Sequence, residues 1–318
     1  VTGAISYAPF ERELRATFRY GSKTVDTRRG FILRRLNTGK AHYAEASPLP
    51  GHSLETLEEV ALALELGKLK SSPSLCFAME ALDYEGGNLP VRSNALLQAG
   101  TLEEARAELL GFLKQGYTHC KIKLGVLSVS EIADLMDANS DFLFRLDANR
   151  TLNPRSLDAL IKQLDHRRLL DRIDYLEEPF EEIWQSADFS NAPLAFAADE
   201  SAPTGERAVD LLSAKNPPKV VILKPTVQGS LTALSSLLDV LAEKKIRTVI
   251  TSAIETEVGR RAILAFLSRH AREVAGISTG FLFKQNYLED RASWASVPPI
   301  SSAEQAWLDS LRWQESKW

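Results

Sequence analysis

Cysteine is scarce in this chain of 318 residues: Cys76 and Cys120 are the only two, without the CxxC spacing of a zinc or redox site. A disulfide framework is excluded, and a reducing cytoplasm is the expected setting. No run of about 18 apolar residues is present to span a bilayer, and the N-terminal stretch lacks the basic-then-apolar layout of a secretion signal. Neither sign of charge dominates. The 38 Lys and Arg against 42 Asp and Glu leave a net charge of −4, so no chain-wide attraction to nucleic acid or anionic lipid is expected. Histidine is sparse, and its five copies, at positions 42, 52, 119, 166 and 270, fall outside the strand ends identified below. No internal repeat is visible.

What is there suits a folded α/β protein. Hydrophobic residues make up 44% and charged residues 25%, enough to bury a core, and the length allows about two domains or one large barrel with an attachment. From about residue 94 short apolar or alternating runs are each followed by a longer stretch of helical period, the mark of βα units around a parallel sheet. Strands are expected at 94–98, 120–124, 142–147, 173–177, 194–199, 219–224, 247–252 and 275–279, and helices include 102–114, 128–138, 154–164, 230–244 and 257–270. Eight such strands suggest a closed barrel. The first 90 residues read as a separate α+β lobe, with alternating segments at 7–20 and 31–45 and a helix at 54–68. Between those segments, residues 21–30 are polar, bounded by Gly21 and Gly30, and are expected to form a mobile loop. The C-terminal end, with Trp307, Leu311, Trp313 and Trp318, is expected to pack back on the body.

A closed parallel barrel builds its active site at the C-terminal ends of its strands, and these ends are rich in charge. In Cys120-Lys121-Ile122-Lys123-Leu124, alternation puts the apolar residues toward the helices and both lysines toward the interior. In Phe142-Leu143-Phe144-Arg145-Leu146-Asp147 the same alternation turns Arg145 and Asp147 inward. The next two strands end in Glu177-Glu178-Pro179 and Asp199-Glu200-Ser201, where alternation does not decide between neighbours. Taken singly, any of these acids suits a helix cap or a surface ion pair. Asp147, Glu177 and Asp199 lie about one βα unit apart, however, and three adjacent carboxylates repel one another unless a cation neutralises them. Oxygen ligands with no His or Cys at hand suit Mg2+ better than zinc. Lys224 ends the sixth strand on the far side of the ring from Lys123. Such a site suits removal of a weakly acidic proton beside a carboxylate, with a lysine as base and positive charge to stabilise the enediolate.

The order of Lys121-Ile122-Lys123, Leu146-Asp147-Ala148-Asn149, Leu176-Glu177-Glu178-Pro179, Asp199-Glu200-Ser201, Lys224-Pro225-Thr226 and Ser252-Ala253-Ile254-Glu255 resembles the enolase superfamily, in its muconate-lactonising branch. More narrowly, Ala46-Ser47-Pro48-Leu49-Pro50-Gly51 with Ser53, Glu55 and Thr56, Arg145 to Arg150, Val221 to Ser230 and Ser252 to Thr256 are similar to the o-succinylbenzoate synthase family. The resemblance implies an α/β fold, a (β/α)8-type barrel modified to (β/α)7β, over residues 93–289. An N-terminal α+β capping domain over 1–92 would be completed by 290–318. It implies Mg2+, with Mn2+ as an alternative, on Asp147, Glu177 and Asp199, which favours Glu177 over Glu178. Sites of that superfamily pair a Lys or His base with Mg2+. Lys123 would remove the proton α to the ring carboxylate of 2-succinyl-6-hydroxy-2,4-cyclohexadiene-1-carboxylate, then help the 6-hydroxyl leave from the same face. Lys224 would stabilise the enediolate and Lys121 would lower the pKa of Lys123. The 21–30 loop, with Thr27 and Arg28, would close over the substrate, and Arg145, Asn149 and Ser252 would contact or support it. The partner is thus a small carboxylate, in menaquinone synthesis, with oligomeric state left open.

Two departures bear on substrate contacts: Ala253 stands where some relatives carry serine, and residues 276–280 lack an expected acid. A dipeptide epimerase or N-acylamino-acid racemase, using Lys123 and Lys224 as bases on opposite faces, is the near rival. The 275–279 region has no Asp-x-Asp to hold a substrate ammonium. A non-catalytic scaffold would have lost a ligand or a base, and none is missing.

Overall fold

The computed structural model describes residues 5–20, 23–37, 39–202 and 204–316. Strand alternation opens the chain: Ala8, Phe10, Arg12 and Leu14 are buried while Pro9, Glu11, Glu13 and Arg15 are exposed. This is β1 (Ile5–Tyr20), which pairs antiparallel with β2 (Lys23–Asn37), itself paired with β3 (Lys40–Ala46). The expected loop at 21–30 is therefore corrected. Residues 23–30 are strand, with Val25 and Arg28 buried and Asp26 and Arg29 exposed, because a hairpin with one solvated face carries as many polar residues as a connection. Gly21 and Ser22 lie outside the described residues. Gly30 permits a close approach, since a Cβ there would sit 2.6 Å from Ser47 Cβ and 2.7 Å from the Ala46 carbonyl.

Two helices, α1 (Leu57–Glu65) and α2 (Pro73–Ala81), pack Val60, Leu64, Leu75 and Ala78 against Leu33, Ala44 and Ala46 of this sheet. Thr56 and Glu59 form a capping box that starts α1.

After β4 (Val91–Arg92), the barrel strands follow: β5 (Ala95–Leu96), β6 (His119–Lys123), β7 (Leu143–Asp147), β8 (Ile173–Glu177), β9 (Phe196–Ala198), β10 (Val220–Leu223) and β11 (Arg247–Ile250). They form one parallel sheet in sequential order. Its helices are α3 (Leu102–Lys114), α4 (Val129–Ala138), α5 (Pro154–His166), α6 (Gly205–Asp210), α7 (Pro225–Gln228), α8 (Leu231–Glu243) and α9 (Glu257–His270). The expected eighth strand is reduced to two bridges, Ser93 with Ala275 and Thr251 with Gly276. Those bridges still close the ring, with Asn94 N–H donating to the Ala275 carbonyl at 2.8 Å and Gly276 N–H to Ile250 at 2.9 Å.

Outward strand residues such as Cys120, Ile122, Phe144, Leu146 and Leu176 pack under the helices. Tyr175, Ala197, Val220, Ile222 and Val249 fill the interior. At the C-terminus β12 (Ser293–Trp294) pairs with β4, α10 (Ser302–Ser310) follows, and β13 (Gln314–Glu315) pairs with Ser6 and Tyr7 of β1. Trp307 meets Phe10 edge-on at 6.2 Å and Trp313 lies 6.0 Å from Tyr43; Trp318 is outside the described residues. Among the described residues no helix is long and apolar enough to cross a membrane.

Candidate active site

Register places the charged strand ends side by side. Lys121, Arg145 and Tyr175 are neighbours across β6, β7 and β8, and one step nearer the C-terminal edge Lys123, Asp147 and Glu177 are neighbours in turn. Lys121 Nζ lies 2.8 Å from Asp147 Oδ2 and 2.8 and 2.9 Å from the two oxygens of Glu177. Lys224, just after β10, is bound directly to Asp199, just after the neighbouring β9. Burial pulls the Lys121 ammonium down, yet Asp147 and Glu177 hold it well above its ordinary value. Lys123 has the opposite balance. Burial, helped by the charge of Lys121 and opposed by Asp147, lowers it from 10.5 to about 8.

Lys121, Lys123, Asp147, Asp199 and Lys224 line one cavity, together with Leu96, Asn149, Tyr175, Thr251, Ser252, Ile254 and Thr279 of the barrel, and Phe18, Leu49 and His52 from the antiparallel sheet and the segment after it. Lys123 Nζ stands 4.0 Å from the centre of the Phe18 ring. The hairpin thus covers the cavity through Phe18 of β1, and among the described residues of 21–30 none lines it. Ser252 Oγ donates to Glu255 at 2.6 Å and accepts from Thr279 at 3.0 Å, which fixes its hydroxyl at the wall. Asn149 N–H donates to Asp147 Oδ1 at 3.1 Å.

Three of the residues expected to contact, support or close over the substrate do not line the cavity. Arg145 is fully buried beneath the cavity, giving 2.8 Å bonds to Asp174 and Asn94. Arg28 is 1% exposed and donates to the carbonyls of Ser47 at 2.8 Å, Pro48 at 3.1 Å and Ile254 at 2.9 Å. It ties two cavity-lining segments together and does not face the cavity. Thr27 pairs with Glu13 inside the hairpin and is not in the lining. Glu177 is 1% exposed, behind Lys121.

Sequence reasoning missed His52, Phe18 and Glu200. His52 Nε2 is 3.7 Å from Asp199 Oδ1, and burial with the nearby Lys224 charge lowers it to about 4, so the ring is neutral at pH 7. It comes from a loop of another sheet, which strand-end counting cannot reach. Glu200 is pushed up to about 7 by burial and the Asp199 charge, and its Oε2 has no hydrogen-bond partner. Its place in Asp199-Glu200-Ser201 was the available signal.

The carboxylates suit a hard divalent cation by their chemistry. They supply oxygen only, they are buried, and burial with the Asp147 charge pushes Glu177 well above the usual carboxylate range, a repulsion such a cation relieves. Among the described residues no three potential ligands already stand at ligand spacing; the lysines hold the acids instead.

No protein-family model matches the chain. An enolase-superfamily structure from Listeria innocua shares the fold with a TM-score of 0.77 at 16% identity, covering 99% of this chain and 98% of that one. The o-succinylbenzoate synthase structure from Thermosynechococcus elongatus BP-1, complexed with Mg in the active site, matches with a TM-score of 0.74 at 22% identity over 96% of this chain and 99% of that one. The capped barrel is the fold that this chain shares with these solved structures. Curated o-succinylbenzoate synthases match by sequence. The Photorhabdus laumondii enzyme is 32% identical over 256 residues, 74% of this chain and 77% of its own. The Vibrio cholerae enzyme is 29% identical over 309 residues, 90% of this chain and 91% of its own. The chain belongs to the o-succinylbenzoate synthase family.

Proposed function

We infer that the chain dehydrates 2-succinyl-6-hydroxy-2,4-cyclohexadiene-1-carboxylate to 2-succinylbenzoate, as a hydro-lyase of menaquinone synthesis. The supporting observation is a lysine, Lys123, lowered to about 8 in a cavity lined also by Asp147. Asp147, Glu177 and Asp199 are the residues that would hold Mg2+, in line with the Mg-bound Thermosynechococcus enzyme. When bound, the cation supplies Lewis-acid charge that holds the substrate carboxylate and stabilises the enediolate. Two free cysteines agree with a cytoplasmic setting.

Neutral Lys123 takes the proton α to the ring carboxylate, and the electron pair moves into the carboxylate as the enediolate forms. That pair then returns to the ring as the bond to the 6-hydroxyl breaks. The lysine gives its new proton to the departing oxygen, so one water leaves, the ring becomes aromatic and the base is restored. One base serves both steps only if proton and hydroxyl share a face of the ring. Lys224, ion-paired with Asp199, would stabilise the enediolate with its charge from the wall opposite Lys123. Lys121 keeps positive charge beside Lys123. Phe18 and Leu49 limit water at the base.

The test is a Mg2+-dependent assay for the aromatic product, with Lys123→Ala and Lys224→Ala beside the parent. Product from the parent and loss of at least a hundredfold in Lys123→Ala are expected. No product from the parent refutes the dehydratase, and exchange of α-hydrogens in dipeptides without aromatisation assigns the epimerase chemistry instead.

A further inference from the structure

We propose that Glu178 is a positioning residue which, with Arg150 and Ser201, fixes the backbone carrying Asp199 relative to the strand ends carrying Asp147 and Glu177, and thereby sets their affinity for a divalent cation. This rests on the metal reading above.

Glu178 follows the last residue of β8 and is fully buried. Its φ of 41° takes it out of the strand alternation, so its side chain does not follow that of Glu177. Both oxygens are fully used. Oε1 accepts from the backbone N–H groups of Asp199 and Ser201, each at 2.8 Å, while Oε2 accepts from Ser201 Oγ at 2.8 Å and Arg150 Nε at 3.0 Å. Arg150 Nη2 closes the circuit by donating to Ser201 Oγ at 2.9 Å. The main chain repeats the link, with Ala148 N–H donating to the Glu177 carbonyl at 3.0 Å and Arg150 N–H to the Glu178 carbonyl at 2.7 Å.

One carboxylate therefore joins the ends of three consecutive strands, and one of its bonds goes to the backbone of Asp199 itself. Asn149 and Arg150 also take positive φ, 44° and 59°, directly after β7. A turn of that shape needs outside contacts to hold it, and the Glu178 carboxylate supplies one. Every group around Glu178 is a donor, so only an acceptor-only side chain satisfies them all. Glutamine has the same shape, but its NH2 must face either the two backbone N–H groups or Arg150 and Ser201. Outer partners of this kind are worth about 10 to 100-fold in metal affinity.

Mn2+ titration of the purified full chain, followed by the electron paramagnetic resonance of free Mn2+ well below the melting temperature, tests this. The set is the parent, Glu178→Gln, Ser201→Ala and the ligand control Glu177→Gln, each checked for folding by circular dichroism. Glu178→Gln is expected to raise the Kd about 10 to 100-fold and Ser201→Ala by a smaller factor. The Mg2+ concentration for half-maximal rate should rise in parallel, with substrate KM at saturating Mg2+ unchanged. Glu177→Gln should lose measurable binding. A folded Glu178→Gln with parental Mn2+ affinity overturns the proposal even if its melting temperature has dropped. Should that variant not fold, parental affinity in Ser201→Ala overturns it equally. A parent that binds no Mn2+ overturns the metal reading and this proposal with it, whereas tight binding by the parent, lost in Glu177→Gln, isolates Glu178 as the point at issue.

Discussion

Raising the pH across the titration of Lys123 should switch the dehydration on, because the base must be neutral before it can accept the α-proton. At its ordinary value of 10.5 a lysine is neutral in roughly 1 of 3,000 molecules at pH 7; lowered to about 8 it is neutral in about 1 of 11, a gain of about 300-fold in competent enzyme. The value of kcat/KM should therefore rise about tenfold per pH unit on the acid side and level off at or below pH 8. A divalent cation on Asp147 weakens the largest of the charges that oppose the shift, so saturating Mg2+ moves the limb downward. The same shift has a cost in stability. The folded-state value lies below the unfolded one, so the charged lysine disfavours the fold fully below about pH 8, and the penalty vanishes as the pH passes 10.5. Lys123→Met should thus stabilise the chain by up to about 3 kcal/mol at pH 7 while abolishing turnover. Initial rates of aromatic product between pH 5.5 and 9.5, with urea melts at pH 7 for parent and variant, measure both effects. A profile flat from pH 6 to 9, or a limb near 10, refutes the assignment of Lys123 as a buried base.

Three further outcomes follow from contacts around the cavity. Phe18→Ala opens the Lys123 ammonium to water, and since burial is the largest cause of its lowered value, the pH limb should move upward; an unmoved limb removes Phe18 from that role. Arg28→Met breaks three buried bonds to the Ser47, Pro48 and Ile254 carbonyls and should cost roughly 2–5 kcal/mol in urea melts; a loss under about 0.5 kcal/mol would contradict its role as a tie. Arg145→Met strands the buried Asp174 and should destabilise by roughly 3–5 kcal/mol, read as a shift in melting midpoint; parental stability would show that Arg247 alone satisfies that acid.

How far the sequence alone reached depends on the range of the interaction. Helix starts were legible because caps are local: Thr101 with Glu104 and Ser128 with Glu131 begin α3 and α4 within a residue of their expected positions. Period 2 likewise placed Lys121 and Lys123 on one face of β6. Alternation failed where the backbone departs from a regular strand. The register slips between Phe144 and Arg145 opposite Ile173 and Tyr175, which brings Asp174 to Arg145, and positive φ at Glu178 resolves a neighbour choice that parity had left open. Residues 23–30 carry no strand signal of their own because a hairpin with one solvated face can be as polar as a loop. His52 and Phe18 reach the cavity only when the antiparallel sheet docks on the barrel, a contact between distant segments that carries no local signature.

Whether three strand ends share one divalent cation is decided by an anomalous-difference map of crystals grown with Mn2+. A single peak within about 2.0–2.4 Å of carboxylate oxygens from Asp147, Glu177 and Asp199 is the expected result. A peak that leaves any of the three unligated, or no peak at saturating Mn2+, would contradict it.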